Sequence, residues 1–390
     1  MNRWRIIHLI LCGLSLAGSL LAVYPAPTYR LWLLSILVTE YGHWLFLVAV
    51  ALALAGLRGG WPGSAGAAMA VMAGMLFLRP AYQAWRMAAT LPAAMERALG
   101  TLPPPSGDLL PSPFSLGALW RGPATATPAP AHLEFARHGD QSLTLDFYAG
   151  AKPGPSPVVV VIHGGGWNSG SPREFEALNQ CLAQAGYAVA AIEYRLAPRW
   201  TWPAPREDVL AAVKYLRAHA EQLGLDGSRV VLLGRSAGGQ IAEAVAYGAH
   251  DPGIRGCIAF YAPADLAFAF QYAEPGDILN TRKLLVDYLG FTLDEMPAQY
   301  ADASGYALAG AASCPTLLLH GRNDPLVWPR QSERLDARLT RLNVPHFLLE
   351  LDWATHGFDF NPTGPAGQLS TYTVLTFLAR VTAVHPPPST

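Results

Sequence analysis

From residue 131 onward, short apolar runs alternate with stretches of helix length, and this alternation constrains the fold more than any other feature. The runs lack the polar–apolar pattern of half-exposed strands, so they are typical of strands that a sheet buries on both faces. Helices between successive strands predict a mainly parallel sheet with right-handed crossovers. The strands are expected at residues 158–162, 187–192, 229–233, 257–261, 316–319 and 347–351.

Further segments complete a predicted α/β domain over residues 131–390. Alternating runs at 132–137 and 142–148 predict a β-hairpin at its start. The connection at 262–312 is long for a link between neighbouring strands. We expect it to form a cap above the carboxyl ends of the strands. Helices are expected at 174–184, 206–222, 237–247, 330–342 and 367–381.

The first 79 residues have the composition of transmembrane helices. No Asp, Glu, Lys or Arg occurs between Arg5 and Arg30, and about 20 apolar helical residues cross a hydrocarbon layer of about 30 Å. A second run, 31–57, follows, and a third, weaker run covers 65–78. We predict two spans from the first two runs, and a third that packs through its Ala and Gly residues. A buried helical hairpin is the alternative for the third run.

Two ionisable residues interrupt the second apolar run. Glu40 and His43 are three residues apart, which is the spacing of neighbours on one helix face. An ionisable pair at membrane depth is a functional-site hypothesis. The alternative is that both lie at the headgroup end of the span, beside Tyr41 and Trp44, where aromatic residues are typical. The sequence favours this second interpretation.

Prolines punctuate residues 80–130 at a density that is incompatible with long helices and central strands. We interpret this segment as a semi-rigid linker whose short apolar pieces dock on the membrane or on the following domain. Three spans place the N-terminus and the α/β domain on opposite faces of the membrane, with the domain outside the cytoplasm. The arginines that flank the spans are divided almost evenly between the two sides, so they do not fix the orientation.

A predicted strand, the pentapeptide Gly234-Arg-Ser236-Ala-Gly238 and a predicted helix follow one another. Glycines on both sides permit a sharp turn that exposes the Ser236 hydroxyl at the carboxyl end of the sheet. The N–H of Ala237, at the helix start, can face a developing negative charge with the helix dipole behind it. The pattern indicates a nucleophile elbow, and a glycine-rich turn with an inert serine is the alternative.

The glycine-rich segment His163-Gly-Gly-Gly166-Trp167 directly follows another predicted strand. Consecutive glycines let backbone N–H groups converge without obstruction by side chains, which suits a cradle for negative charge. A phosphate loop fits poorly, because the chain has no G-x-x-x-x-G-K-[ST] pattern. We expect His163 to brace this loop rather than to act as a base, and Trp167 to form a wall of the substrate pocket.

An acid and an imidazole follow the last two predicted strands. Asp324 lies just beyond one strand end and His356 lies in the loop after the other. An imidazole, with an intrinsic pKa of about 6.5, can accept the proton of a serine hydroxyl, and a carboxylate can hold the imidazole tautomer. The chain order Ser236, Asp324, His356 is the order expected on this architecture. Glu350 and Asp352 are alternative acids.

Together these motifs resemble the α/β-hydrolase superfamily, in particular the hormone-sensitive-lipase-like carboxylesterases. The likeness rests on the His-Gly-Gly-Gly loop, the Gly-x-Ser-Ala-Gly-Gly elbow, the His-Gly-x-x-Asp acid loop and the segment Tyr194-Arg-Leu-Ala-Pro, and it covers about residues 133–383. The resemblance implies an α/β-hydrolase fold and serine-esterase chemistry. It also implies that Gly165, Gly166 and Ala237 supply the N–H groups of an oxyanion hole.

The sequence departs from this family in two respects. Arg235 precedes the expected nucleophile where the family most often has Asp. This arginine either binds an anionic group of the substrate or pairs with a carboxylate under the elbow, and we favour the pairing. The N-terminal spans are not part of the usual plan, although prenylcysteine methylesterase-like members of the superfamily combine spans with a similar domain. Kynurenine formamidase-like members share a related glycine loop.

The sequence therefore predicts a membrane-anchored serine hydrolase that cleaves carboxylic esters through an acyl-enzyme. Small-molecule or lipid-like esters and the lipid bilayer are the expected partners, and the oligomeric state stays open. Amide or thioester hydrolysis is an alternative because the same constellation serves all acyl transfers, and a non-catalytic interaction protein is another. A net charge of −1 argues against a nucleic-acid partner. No metal or organic cofactor is expected.

Overall fold

The computed structural model describes residues 3–57, 60–101, 112–122 and 129–383. Two stretches of the expected linker, 102–111 and 123–128, lie outside these residues, as do the termini. Helices occupy most of the described part before residue 122. They are α1 (Arg3–Ser19), α2 (Tyr29–Glu40), α3 (Gly42–Gly56), α4 (Gly60–Ala88), α5 (Leu91–Leu99) and α6 (Leu116–Arg121).

Two of these helices are long and apolar enough to cross a membrane. They are Arg3–Ala22, which joins α1 to a short 3₁₀ turn, and α4. Helices α2 and α3 form a pair that is bent by 86°, and this pair makes a third candidate crossing if it is taken as one broken span. The second apolar run, 31–57, thus forms two helices joined at a sharp bend, and the weaker third run lies inside the longest continuous helix of the described residues.

The apolar N-terminal helices pack through small residues. A Cβ atom on Gly63 of α4 would lie only 2.4 Å from the carbonyl oxygen of Gly56 in α3. One on Gly42 would lie 2.2 Å from the carbonyl oxygen of Phe77. The backbones of α3 and α4 therefore touch at both ends of α3, a contact that only glycine permits.

The core of the remaining chain is one sheet of eight strands, in the order β1-β2-β4-β3-β5-β6-β7-β8. Strands β1 and β2 form the expected hairpin, β2 pairs antiparallel with β4, and all other neighbours are parallel. The strands are β1 (Ala131–His138), β2 (Gln141–Tyr148), β3 (Ser156–Ile162), β4 (Ala188–Ile192), β5 (Leu225–Arg235), β6 (Ile254–Phe260), β7 (Thr316–Gly321) and β8 (His346–Leu351).

Helices cover both faces of the sheet. Alternate side chains of β3 show the two layers: Val160 packs in the core with α8 and α10, and Val161 packs in the core with α7 and α16. The expected cap at 262–312 contains α11 to α14. The helices are α7 (Glu176–Gln184), α8 (Ala204–Ala218), α9 (Ala220–Leu223), α10 (Ala237–Gly248), α11 (Leu266–Tyr272), α12 (Thr281–Leu289), α13 (Pro297–Asp302), α14 (Gly305–Leu308), α15 (Arg330–Arg341) and α16 (Pro365–Val381).

Helical structure extends well past the boundary expected at residue 79. Helix α4 continues through Pro80 to Ala88, and α5 buries Leu91, Met95 and Leu99 in the same core as α7 and α16. Pro92 lies in the first turn of α5, where the missing N–H costs nothing. Packing against the sheet outweighs the proline content, so residues 80–99 are a folded part of the molecule and not a linker.

The short helix α6 docks on the α/β domain. Phe114 and Leu119 are buried in the core beside α16. The N–H of Ser115 donates to Oε1 of Gln368 at 2.7 Å, and the Gln368 amide donates back to the Ser115 carbonyl at 3.2 Å. The described part of the proline-rich segment is therefore held on the domain and not on the membrane region alone.

The bend between α2 and α3 follows Glu40, whose carboxylate caps another helix. Its Oε2 accepts hydrogen bonds from the N–H groups of Ala366 and Gly367, at 3.1 and 3.4 Å, at the start of α16. Glu40 is fully buried, and the chain turns before His43. The two residues therefore do not share one helix face, because the bend places them in different helices, and both side chains are buried in the folded chain.

Removal of the Glu40 carboxylate from the start of α16 tests whether Glu40 joins the N-terminal region to the α/β domain. We expect Glu40→Ala to lower the free energy of unfolding by about 2 kcal/mol, since it leaves two buried N–H groups without their acceptor. Glu40→Gln keeps an acceptor oxygen, so it should cost less. Denaturant unfolding in detergent measures both, with Glu96→Ala on the exposed face of α5 as the control. Equal stability of Glu40→Ala and the control would contradict the capping role.

Candidate active site

Ser236 occupies a strained turn between β5 and α10. Its backbone dihedrals are φ 52° and ψ −120°, a region that side-chain-bearing residues seldom adopt. The flanking glycines are required by contact: a Cβ on Gly234 would lie 2.1 Å from the Gly238 carbonyl oxygen, and one on Gly238 would lie 2.2 Å from the Ile162 carbonyl oxygen. The local sequence thus holds the serine at the carboxyl end of the sheet.

The glycine loop after β3 lies directly against this turn. A Cβ on Gly164 would lie 3.2 Å from the Arg235 carbonyl oxygen and 3.4 Å from the Ser236 Cβ. Gly165 and Gly166 have φ of 99° and 57°, which favour glycine. Ala237 is the first residue of α10, so its N–H has no acceptor within the helix. These three residues border the same cavity as Ser236.

His163 braces the glycine loop. Its ring stacks on Tyr194 at a centroid distance of 4.3 Å, and its Nδ1 lies 2.8 Å from the Gly164 carbonyl oxygen. The Tyr194 hydroxyl donates to the carbonyl oxygens of His163 and Gly164, both at 3.2 Å. Burial lowers the pKa of His163 to about 4. The ring is therefore neutral at ordinary pH and positions the loop backbone.

Asp324 and His356 form a buried hydrogen-bonded pair. Nδ1 of His356 lies 2.7 Å from Oδ2 of Asp324, and the other carboxylate oxygen accepts the N–H groups of Leu326 and Val327. Burial alone would raise the pKa of Asp324, but the charge of His356 and the hydrogen bonds from His320 and His356 hold it well below its usual range. The acid is thus a carboxylate whenever the imidazole is able to act.

The alternative acids lie elsewhere. Glu350 pairs with Arg322 at 2.6 Å, and Asp352 lies 3.5 Å from the same guanidinium. Neither has a contact with the His356 ring among the interactions of the described residues. Asp324 is therefore the acid that the fold brings to His356.

One large cavity lies over the carboxyl ends of the strands and brings the expected site residues together. It has a volume of about 1210 Å³. The cap contributes one side of it through α11 and α12, and the glycine loop, the elbow and the loop after β8 form its floor. Its lining includes Gly165, Gly166, Trp167, Arg235, Ser236, Ala237, Asp324 and His356.

Trp167 takes part in the cavity wall and in the packing of the cap. It is 4% exposed, and its ring stacks on Tyr288 of α12 at a centroid distance of 4.3 Å. Its indole N–H donates to Oε1 of Gln240 at 2.8 Å, and the Tyr288 hydroxyl donates to the same oxygen at 3.0 Å. The tryptophan thus fixes the cap against the glycine loop.

Arg235 pairs with a carboxylate next to the elbow. Its Nε donates to Oδ2 of Asp359 at 2.5 Å, and the Tyr261 hydroxyl donates to Oδ1 at 2.6 Å. The Tyr261 ring in turn contacts the His356 ring at a centroid distance of 4.3 Å. Arg235 also borders the cavity. The pairing expected from the sequence is present. Through Asp359 it also holds Tyr261, whose ring packs against the His356 ring.

Sequence reasoning missed three residues around the His356–Asp324 pair. Tyr261 directly follows β6, and His320 is the last but one residue of β7. Their positions at the carboxyl ends of neighbouring strands could have indicated them. His320 lies 3.3 Å from the Asp324 carboxylate through Nε2. Trp32 of α2 donates its indole N–H to the His356 carbonyl oxygen at 2.9 Å. No local pattern connects Trp32 to a loop more than 300 residues later.

The described residues contain no group of three or more His, Cys, Asp or Glu side chains that could hold a metal ion. A hydroxyl, an imidazole and a carboxylate at one site can form and break an acyl–oxygen bond.

Comparison with known proteins agrees with this arrangement. Residues 145–339, half of the chain, match the model of the BD-FAE family. The probable carboxylic ester hydrolase LipM of Mycobacterium tuberculosis is 29% identical over 267 residues, which are 65% of this chain and 59% of LipM. The chain thus spans about three fifths of the length of this relative. Esterase LipC of the same organism is 27% identical over 271 residues, 64% of this chain and 67% of LipC.

Solved structures share the fold. A bacterial heroin esterase superposes with a TM-score of 0.56 at 27% identity, over 66% of this chain and 85% of the esterase. Carboxyl esterase 2 of the mycorrhizal fungus Tuber melanosporum gives a TM-score of 0.57 at 23% identity, over 67% of this chain and 90% of that one, and it shows the fold alone. The chain belongs to the BD-FAE family, and its sheet and flanking helices form an α/β-hydrolase domain similar to that of the heroin esterase.

Proposed function

We propose that this protein is a serine hydrolase that cleaves carboxylic esters through an acyl-enzyme. The observation that carries the proposal is the 2.7 Å bond between His356 Nδ1 and Asp324 in the cavity that Ser236 also lines. A carboxylate on Nδ1 holds the proton there, so Nε2 is left to accept the proton of a serine hydroxyl. Esterase relatives such as LipM support the same bond type.

Acylation begins when Ser236 Oγ attacks the ester carbonyl carbon and His356 Nε2 takes the hydroxyl proton. The carbonyl oxygen becomes an oxyanion, which accepts hydrogen bonds from the N–H groups of Gly165, Gly166 and Ala237. The imidazolium then gives its proton to the leaving alkoxide, and the alcohol departs. Water, deprotonated by the same imidazole, attacks the acyl-enzyme, and the carboxylic acid and free serine are released.

The pH dependence of turnover tests this assignment. Asp324 stays ionised because its pKa lies below the usual range, and His163, with a pKa of about 4, stays neutral above about pH 5. His356 must be unprotonated to take the serine proton, so a protonated imidazole stops acylation. We expect kcat/KM for p-nitrophenyl acetate to fall about tenfold per pH unit along one acid limb.

The variant His163→Asn separates the two imidazoles. It should lower the rate, because the glycine loop loses its brace, and leave the midpoint of the acid limb where it is in the wild type. A rate that stays flat down to pH 4, or a midpoint that moves with His163→Asn, would rule out His356 as the general base.

We further propose that the N-terminal helices anchor the enzyme in a membrane. Arg3–Ala22 and α4 support this by length and composition, and the bent pair of α2 and α3 is a third candidate crossing. Three crossings would put the hydrolase domain and the N-terminus on opposite faces. The full-length protein is expected to stay in the membrane pellet after an alkaline carbonate wash, whereas release into the supernatant would contradict anchoring.

A further inference from the structure

Helix α2 belongs to the apolar N-terminal region, yet one of its faces lines the active-site cavity. The lining residues recur with helical spacing, which places them on a single face. They are Tyr29, Trp32, Leu33, Ile36 and Leu37. The family match begins at residue 145, so it does not include this helix. The face of α2 that lines the cavity is therefore a feature that the family model does not describe.

Hydrogen bonds hold α2 against the hydrolase domain near both of its ends. Near the N-terminal end, the Trp32 indole donates to the His356 carbonyl oxygen, and its ring meets the His356 ring edge-on at 6.2 Å. At the C-terminal end, Glu40 caps α16, and the Asn361 side-chain amide lies 3.4 Å from the Glu40 carbonyl oxygen. Helix α2 is thus held in place beside the site. It is also the first half of the bent pair of helices that is a candidate membrane crossing.

The side chains that α2 presents to the cavity are apolar and accessible. Leu33 and Leu37 are each 48% exposed, and Ile36 approaches the backbone next to His356. Across the cavity, α11 and α12 contribute Phe268, Tyr272 and Leu284. The volume of about 1210 Å³ exceeds the range of about 300–1000 Å³ that is usual for small-molecule pockets. An acetyl ester would leave most of this apolar surface in contact with water.

We propose that α2 is a specificity wall of the active site, and that it binds the long apolar chain of a membrane-partitioned ester. This inference rests on the proposed esterase function and adds the substrate class to it. Burial of each methylene group against this wall favours long-chain over short-chain substrates. The position of α2 in the membrane-candidate region places the wall next to the lipid from which such esters come.

Leu33→Trp in the full-length protein, in detergent micelles, tests the wall. The bulkier side chain fills the space beside α2, so the ratio of kcat/KM for p-nitrophenyl octanoate to that for p-nitrophenyl acetate should fall at least about tenfold. Activity on the acetate should fall by a smaller factor than activity on the octanoate, because the acetyl group does not reach the wall. Leu37→Trp, one turn further along, is the second variant and should act in the same direction.

Leu34→Trp is the matched control. Leu34 is the same residue type on the same helix and is 41% exposed, but it does not line the cavity. It should leave the octanoate-to-acetate ratio unchanged. A parallel pair, octyl acetate and ethyl acetate, carries the chain on the alcohol instead. A fall in activity on the octanoate would show that the wall binds the acyl chain of the ester. A fall in activity on octyl acetate would show that it binds the alcohol chain.

Three results would overturn the specificity wall while leaving the esterase function in place. They are long-chain to short-chain ratios that stay unchanged for both substrate pairs in Leu33→Trp and Leu37→Trp, an equal fall of the ratio in Leu34→Trp, or equal losses on the long-chain and short-chain esters of both pairs. Absence of turnover of both p-nitrophenyl acetate and p-nitrophenyl octanoate by the wild type, or full turnover by Ser236→Ala, would overturn the esterase function and the wall with it. The two failures are therefore distinguishable.

Discussion

Replacement of Ser236 by alanine is expected to lower kcat for p-nitrophenyl acetate by about 10⁶-fold. The variant keeps the oxyanion N–H groups and the imidazole, but it has no oxygen to form the acyl-enzyme. Since the residual rate comes only from binding and the oxyanion hole, it should approach that of weak general-base attack by water. The measurement is initial-rate kinetics on purified full-length protein at a pH where the wild type is fully active.

Ser228→Ala is the matched control for this variant. Ser228 lies on the same strand as the elbow, but at its exposed far end, so its loss should leave kcat within about twofold of the wild type. Retention of wild-type turnover by Ser236→Ala would show that a different residue, or no residue, is acylated. A similar loss in both variants would indicate damage to the strand instead.

Asp324→Asn should lower kcat by about 10⁴-fold. The amide has nearly the shape of the carboxylate, but its NH₂ group can donate a hydrogen bond to His356 Nδ1. It therefore favours the tautomer with the proton on Nε2, which cannot take the serine proton. It also removes the negative charge that stabilises the imidazolium. Kinetics on the same ester measure the effect, and the circular dichroism spectrum shows whether the fold is kept.

Glu350→Gln and Asp352→Asn test the two other acids near His356 in the sequence. Both residues lie by Arg322 rather than by the imidazole, so each substitution should leave kcat within about threefold of the wild type. If one of them instead caused the 10⁴-fold loss, the acid identified from the 2.7 Å contact would be wrong.

The sheet and the elbow were predictable because their determinants are local. Apolar runs of strand length, separated by helix-length stretches, place the strands, and glycines on both sides of Ser236 permit a turn that other residues would block. Asp324 and His356 follow strands whose carboxyl ends must meet at one edge of a parallel sheet. The order of strands in a parallel sheet is thus enough to bring these distant residues together, and no motif needs to link them in the sequence.

The N-terminal region was predicted less well because its structure depends on contacts with the hydrolase domain. Hydropathy treats residues 31–57 as one apolar run, but Glu40 gains two buried N–H donors from α16, and the chain bends there. The same holds for residues 80–99, where packing of α5 against the sheet core stabilises helix in a proline-containing segment. Neither partner is near in the sequence.

Helix α2 shows the same limit at the active site. Its spacing is that of an amphipathic helix, but an apolar face next to a membrane segment indicates lipid contact as readily as a substrate wall. The contact of Trp32 with the His356 loop favours the proposed substrate wall, and only the folded chain contains this contact. The side chains that we propose to be catalytic could therefore be predicted from the sequence, whereas the proposed wall beside them could not.

The most direct test of the central claim is to map the residue that a fluorophosphonate probe modifies in the full-length protein. The Ser236 oxygen should displace fluoride from phosphorus as His356 takes the proton, giving one phosphonylated serine. We expect a single adduct, located by mass spectrometry on Ser236, and much slower labelling in His356→Ala. An adduct on any other residue, or labelling that persists in Ser236→Ala, would contradict it.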